Sequence, residues 1–175
     1  MKQSLLADDC IRLRAPELKD LDMMYETEND TSFWEYGCIT SPYSGFALKQ
    51  YIENTQNDLF LEGQMHLIIE RKVDSQAVGI IDLYDFVPLH SHAAVGIVIL
   101  SSFRKKGYAT GALKLLCDYV YRFLHLKQLY AYMDVNNQAC LRLFSSCSFV
   151  ECGRLKEWLH SEDGYKDVAM VQRIF

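Results

Sequence analysis

The chain has 175 residues, half of them hydrophobic, with 23% charged residues, three prolines and a formal net charge of −5. That length and composition fit one domain over residues 1–175 with a sizeable core, and they exclude a disordered or low-complexity protein. An acidic chain also lacks the broad basic footprint of a nucleic-acid binder, so no nucleic-acid partner is expected.

The first twenty residues carry Lys2, Asp8, Asp9, Arg12, Arg14 and Asp20, which is unlike a signal peptide. No apolar run approaches the roughly 20 residues that span a bilayer. A cytoplasmic protein without a membrane partner is expected. The six cysteines, at 10, 38, 117, 140, 147 and 152, contain no C-x-x-C pair. They read as small core hydrophobes rather than disulfide partners or metal ligands.

In chain order, the alternation of Cys10–Ala15 predicts a strand, and Pro16 predicts a helix start running to about Glu28. Residues 29–45, "NDTSFWEYGCITSPYSG", read as a long aromatic loop, the kind of connection that carries function in a compact domain. Ala47 to about Leu61 predicts a second helix. Met65–Arg71, Ala77–Val87 and Ala93–Leu100 read as three consecutive strands, a meander. The turn before the third holds His90 and His92, which read as exposed loop residues, since a metal site wants more ligands.

A helix over 107–124 follows, with Leu113, Leu116, Cys117, Val120, Tyr121 and Leu124 in one apolar stripe. Gln128–Val135 is a strand and Asn137–Cys147 a short helix. "SFVECGRLKEWLH" and "YKDVAMVQRIF" form a closing hairpin. The order β-α-α-β-β-β-α-β-α-β-β predicts an α/β (α+β) fold with a mixed sheet and helices on its faces.

The stretch with the most chemistry is "VGIVILSSFRKKGYATGALKLL". An apolar strand meets Arg104, Lys105, Lys106 and Gly107 at the start of a helix. A helix start leaves several backbone N–H groups unpaired and carries a partial positive charge. Three basic residues and a glycine added there make a site for a di- or polyphosphate. Neither the P-loop nor the dinucleotide glycine pattern is present. From composition alone, a solvated basic helix start with a glycine cap is an equally good reading.

The sequence here, Arg104-x-x-Gly107-x-Ala109, resembles the pyrophosphate loop of the GNAT superfamily of N-acetyltransferases, [Q/R]-x-x-G-x-[G/A]. A second signature of that family, N-x-x-[A/S]-x-x-x-[Y/F]-x-x-x-G-F, is matched one strand later by Asn137, Cys140, Phe144, Ser148 and Phe149. Within the superfamily, "GYAT", "CDYVYRFLHLKQLYAYMDVNN" and "DGYKDVAMV" most resemble spermidine/diamine and ribosomal-protein alanine N-acetyltransferases. The resemblance covers nearly the whole chain. It implies a mostly antiparallel sheet of about seven strands and acetyl-CoA as acyl donor. It also implies direct attack by a primary amine in a ternary complex.

The resemblance further implies which residues act. Arg104, Lys105, Lys106, Gly107, Tyr108, Ala109 and Thr110 would surround the pyrophosphate. The backbone of Ile97, Val98 and Ile99 would run beside the pantetheine arm like an added strand, and the same strand would polarise the thioester carbonyl. Asn137 would hydrogen-bond the arm, with Cys140 packed closely behind. Gly96 is expected to allow a bulge that splays the two strands.

Many relatives carry a glutamate base where this chain has Ala94, so the candidates here are Asp82 and Asp85, three apart and therefore expected on opposite faces. Asp82, nearer the middle of the strand, is the candidate catalytic base, although both also read as rim carboxylates. Phe144 stands where relatives use a tyrosine acid for the leaving thiolate, and phenylalanine cannot donate. Tyr108, Tyr132 and Tyr36 are the alternative donors, and each also reads as a packing aromatic. Ser148 stands where relatives have a glycine, so a modestly strained turn is expected.

For the acceptor, the family's acidic stretch is replaced by "ITSPYS", leaving Glu35, Asp82 and Asp85 near the expected cleft. Trp34 and Tyr36, with Phe33 and Tyr43, would pack on an aliphatic amine or stack with a cation; they also read as a packed lid. Three readings stay open: a small polyamine-like acceptor, a protein N-terminus, or a CoA-binding module without catalysis. The family often forms dimers through sheet edges or the C-terminal strand, and the apolar ending "VAMVQRIF" is compatible with a homodimer or higher homo-oligomer.

Overall fold

The computed structural model describes residues 5–37 and 39–175, without the side chains of 35–37. Its centre is one seven-stranded sheet in the order β1-β2-β3-β4-β5-β7-β6. The strands are β1 (Ile11–Arg14), β2 (Met65–Arg71), β3 (Gln76–Val87), β4 (His92–Ile99), β5 (Gln128–Asp134), β6 (Val150–Ser161) and β7 (Gly164–Ile174). Every neighbouring pair is antiparallel except β4 and β5. The meander, the crossover and the closing hairpin therefore all form as the sequence predicts.

Helices cover both faces. On one, α5 (Tyr108–Tyr119) and α6 (Gln138–Ser146) close the main core with Leu113, Leu116, Leu129, Ala131, Phe144 and Val171. On the other, α1 (Leu21–Glu28) and α3 (Gly45–Asn54) cover a smaller cluster of Met24, Ile52, Ile68 and Ile80.

Four local expectations are corrected. The first helix starts later than Pro16, because Glu17 and Asp20 cap each other ahead of a 3-10 turn at Leu18–Asp20 and α1 begins at Leu21. The 29–45 stretch is not all loop: Thr31–Gly37 forms a short helix, α2. The predicted helix over 47–61 divides into α3 and a single turn, α4 (Leu59–Glu62). Polar side chains compete with the helix backbone at the break. The Glu62 carboxylate takes the Thr55 hydroxyl and the Gln56 N–H, and Asp58 accepts from the N–H groups of Phe60 and Leu61.

The apolar stripe of α5 is buried through Val120, but Tyr121 is exposed and stacks on Phe175. Residues Val120–Leu124 wind as a π-helical turn, whose longer hydrogen-bond step rotates the stripe away from the 3.6-residue period. Cys117 and Cys147 are buried as expected, Cys140 is half-buried, and Cys10 and Cys152 are exposed. Cys38 lies outside the described residues. Ser148 does adopt a left-handed backbone, with φ +66°.

A charge cluster fastens the first strand and places α1. Glu70 is fully buried on β2 and pairs with Arg12 and Arg14 of β1, while Arg14 also makes a two-pronged contact with Asp20 at 2.7 and 2.8 Å. Burial alone would push the Asp20 and Glu70 carboxyls up, but the arginines hold both below the usual carboxylate range. Removing one partner from such a cluster leaves an uncompensated charge. Glu70→Ala is therefore expected to lower unfolding free energy by about 3 kcal/mol in urea titration. A loss below about 0.5 kcal/mol, the scale of an exposed pair, would show that the cluster does not fasten β1.

Candidate active site

The parallel ladder between β4 and β5 lasts three pairs: His92 with Gln128, Ala93 with Leu129 and Ala94 with Tyr130. On its other edge β4 stays paired with β3 as far as Ile99, opposite Gly79. Among the described residues, the β4 edge that faces β5 therefore has no strand partner from Val95 to Ile99. This is where the resemblance put Ile97, Val98 and Ile99, and a ligand carrying amide groups would complete the ladder there.

Gly96 does not open this cleft by a bulge. The β3–β4 register runs unbroken from Gly79–Ile99 to Tyr84–Ala94, and the irregularity follows in β3, between Tyr84 and Val87. Asp85 sits in that irregular step with φ +47°. A Cβ at Gly96 would meet the Tyr84 ring at 3.4 Å, an ordinary van der Waals distance, so packing sets no tight demand for glycine there. Gly79 has a harder constraint, since a Cβ would lie 2.2 Å from the Val98 carbonyl oxygen. That clearance lets β3 lie tight against the strand that borders the cleft.

At the end of β4 the chain turns through a 3-10 step (Ser101–Phe103) into α5. Lys105 and Gly107 both have positive φ, +61° and +86°, and Gly107 caps α5 without a side chain. The first N–H groups of the helix, from Tyr108, Ala109 and Thr110, thus face outward at its positive end, as a pyrophosphate requires. Arg104 donates from Nε to the Ile99 carbonyl at 3.0 Å and lies over the Phe33 ring. Lys106 donates to the Ser102 carbonyl at 2.9 Å. The Tyr108 hydroxyl meets Arg71 at 3.5 Å, pointing back toward the end of β2. Tyr108 thus packs in the loop beside Phe103, its hydroxyl accepting from Arg71.

Across the cleft, Asn137 caps α6, accepting from the Cys140 N–H at 3.0 Å through its carbonyl oxygen. Its amide nitrogen is the group left for a pantetheine arm. Cys140 is half-buried, and burial pushes its thiol up to about 11, so it acts by packing. Phe144 is 2% exposed and packs edge-to-face on Phe149, 4.9 Å between centroids. It belongs to the core and presents no proton donor.

Paired strand residues share a sheet face, so His66, Asp82 and Gly96 form one row and Tyr84, Ala94 and Tyr130 the next. That face lies opposite α5 and beside the open edge of β4. Asp82 is partly exposed and bonds His66 Nδ1 through Oδ1 at 2.7 Å. Burial raises the pKa of Glu28, at the end of α1, and the charge of Asp82 raises it further.

The expectation that Asp82 and Asp85 face opposite sides assumed regular alternation, which the bulge breaks. The charge of Asp85 now falls on Tyr130, whose hydroxyl is pushed up first by burial and then by that charge. His66 and Glu28 were missed in the sequence. Only the His66–Asp82 register marks the pair, and register is not readable from one strand alone.

Trp34 donates from Nε1 to the Glu28 carbonyl at 2.9 Å, which ties α2 to α1. The side chains of Glu35 and Tyr36 lie outside those described. Tyr132 is 40% exposed and packs against Tyr130. His90 and His92 stack on one another, with Tyr130 beside His92. Among the described residues, no three His, Cys, Asp or Glu side chains gather as metal ligands would. No helix among them is long and apolar enough to cross a membrane.

The geometry fits an acyl-CoA donor: an unpartnered strand edge for the pantetheine, a glycine-capped helix start for the pyrophosphate and a carboxylate on the adjacent face. Gly107→Ala is expected to force a strained left-handed alanine, costing about 1–2 kcal/mol, and to weaken CoA binding about tenfold by calorimetry. Unchanged CoA affinity would remove the helix start from the binding site.

Comparisons with known proteins agree with this geometry. Residues 11–150 match the family model described as "Acetyltransferase (GNAT) domain". Spermidine N(1)-acetyltransferase from Vibrio cholerae is 25% identical over 90% of this chain and 89% of that protein. The Escherichia coli K12 enzyme of the same name is 27% identical over 83% and 75%. The crystal structure of the Vibrio cholerae spermidine N-acetyltransferase in complex with CoA and spermine superposes with a TM-score of 0.84. It covers 95% of this chain and 96% of that one at 23% identity, and so speaks for the fold. The chain belongs to the GNAT acetyltransferase family, whose members transfer an acetyl group from acetyl-CoA.

Proposed function

We propose that this N-acetyltransferase acetylates a primary amine of a small polyamine or diamine in the cytoplasm, with Asp82 as the group that takes the amine's proton. The observation that carries the reading is the row His66–Asp82–Gly96, which sets a carboxylate beside the open β4 edge. Acetyl-CoA supplies the activated thioester. The free N–H groups of α5 hold its pyrophosphate, and the β4 edge aligns the arm and polarises the carbonyl.

An alkylamine has a pKa near 10, so a carboxylate at the reacting nitrogen helps it reach its nucleophilic form. CoA thiolate leaves without an acid from Phe144, since thiol pKa values lie near 8.5. Glu28, Asp82 and Asp85 give this side of the sheet the negative charge that suits a polycation, and the two spermidine acetyltransferases above support that acceptor class.

A small amine is favoured over a protein N-terminus because α2 occupies the stretch where a peptide would need an open groove. Phe33 of α2 touches Arg104 of the phosphate loop, and the same helix packs against β6. The net charge of −5 and the local character of the basic triplet support a small anionic donor rather than nucleic acid.

The test is thiol release from acetyl-CoA against spermidine, spermine, diamines, amino acids and N-terminal peptides. Turnover is expected with polyamines, and Asp82→Asn is expected to lower kcat/KM by on the order of 100-fold. Turnover confined to peptides would contradict the acceptor class. CoA binding without turnover on any amine would turn the reading toward a non-catalytic binding module.

A further inference from the structure

We propose that His66 is a positioning residue for Asp82. Its imidazole fixes one carboxylate oxygen so that the other faces the acceptor nitrogen, and it must be neutral for Asp82 to take the proton. The inference rests on Asp82 as the proton acceptor.

The geometry comes first. β1 ends its pairing with β2 at Ile68, so His66 has no strand neighbour on that side. The Asn57 side-chain amide replaces one: its nitrogen donates to the His66 carbonyl and its oxygen accepts from the His66 N–H, both at 2.8 Å. The ring then stands edge-to-face against Tyr51, 5.4 Å between centroids. Backbone and ring are thus both fixed before the imidazole meets Asp82 Oδ1 at 2.7 Å. Asp82 is in turn the direct cross-strand partner of Gly96, at the head of the open edge.

Protonation follows from the same contact. Beside an ionised carboxylate, Nδ1 must carry a hydrogen and donate it. A neutral His66 therefore orients Asp82 and leaves it basic. A second proton, on Nε2, makes an imidazolium that holds the carboxylate's charge for itself and repels an incoming ammonium.

Asp82 from β3 bonds the ring and Tyr51 from α3 packs against it, while the charges of Glu28 on α1 and Glu62 on α4 also act on it. Burial lowers the imidazole pKa, and the three carboxylates outweigh it, leaving His66 above its ordinary value. In the step itself the N–C bond forms and the C–S bond breaks. The thiolate leaves with the electron pair, and the nitrogen's proton passes to Asp82 Oδ2.

The sign of the pH effect is fixed by this arrangement. Below the imidazole pKa the pair is charged and idle; above it the pair works. Wild-type kcat/KM for the best amine is expected to rise with pH through a limb above the ordinary imidazole value, separate from the amine's own titration near 10.

His66→Gln keeps a neutral donor, so it is expected to retain activity at about pH 8 to within tenfold while losing the lower limb. His66→Leu removes the donor and is expected to lose about 100-fold in kcat with the KM for acetyl-CoA unchanged. Survival of the limb in His66→Gln, or full kcat in a folded His66→Leu, overturns the inference.

If no amine is turned over, the functional reading fails on its own, and the pair is read by an NMR titration of the His66 imidazole. Asp82→Asn is expected to lower that pKa by about one unit or more, and an unchanged value overturns the pairing.

Discussion

The interruption of the β4–β5 ladder after Ala94 and Tyr130 is the constraint on which the rest of the protein depends. Backbone N–H and C=O groups in a sheet interior are normally paired, because an orphaned one loses a hydrogen bond. Here a central strand keeps one edge paired and leaves the other open for the length of Val95–Ile99. The two strands remain tied at their beginnings, and α5 joins the end of one to the start of the other. The opening therefore sits between fixed walls, with the positive end of a helix at its mouth. An acyl-CoA donor fits because it carries both things the opening asks for, amide groups along an extended arm and a pyrophosphate at its far end.

The surroundings hold this opening in place. Gly79 lets β3 press against the Val98 carbonyl, where any side chain would collide. The buried Glu70–Arg14–Asp20 cluster ties β1 and the start of α1 to β2, which in turn sets where Glu28 reaches the sheet. On the opposite face, Phe144 and Phe149 fill the core below α6. The polar groups around Asp82 thus lie on the α1–α3 side, while the sheet face under α5 and α6 is apolar packing.

Much of this was legible in the sequence, for identifiable reasons. Strand and helix periods are local, so β2, β5 and α6 fall within a residue or two of their predicted spans, and the glycine-capped basic turn is a local pattern too. What was not legible depends on contacts between distant residues. The break between α3 and α4 comes from Glu62 reaching back to Thr55. The pairing of His66 with Asp82 comes from the β2–β3 register. The shift of Asp85 comes from a bulge that no alternation rule predicts. Phe144 is the reverse case: its place in the motif was plain, but the motif says nothing about the ring's being enclosed by Phe149.

The central claim is that the unpartnered edge of β4 and the start of α5 together hold acetyl-CoA, and amide hydrogen exchange with and without CoA tests it most directly. Saturation with CoA should slow exchange at amides within Val95–Ile99 and Tyr108–Thr110, while the already paired amides of β2 and β3 change little. Bound CoA with unaltered exchange in both segments would contradict the account, because the donor would then lie somewhere other than the open ladder.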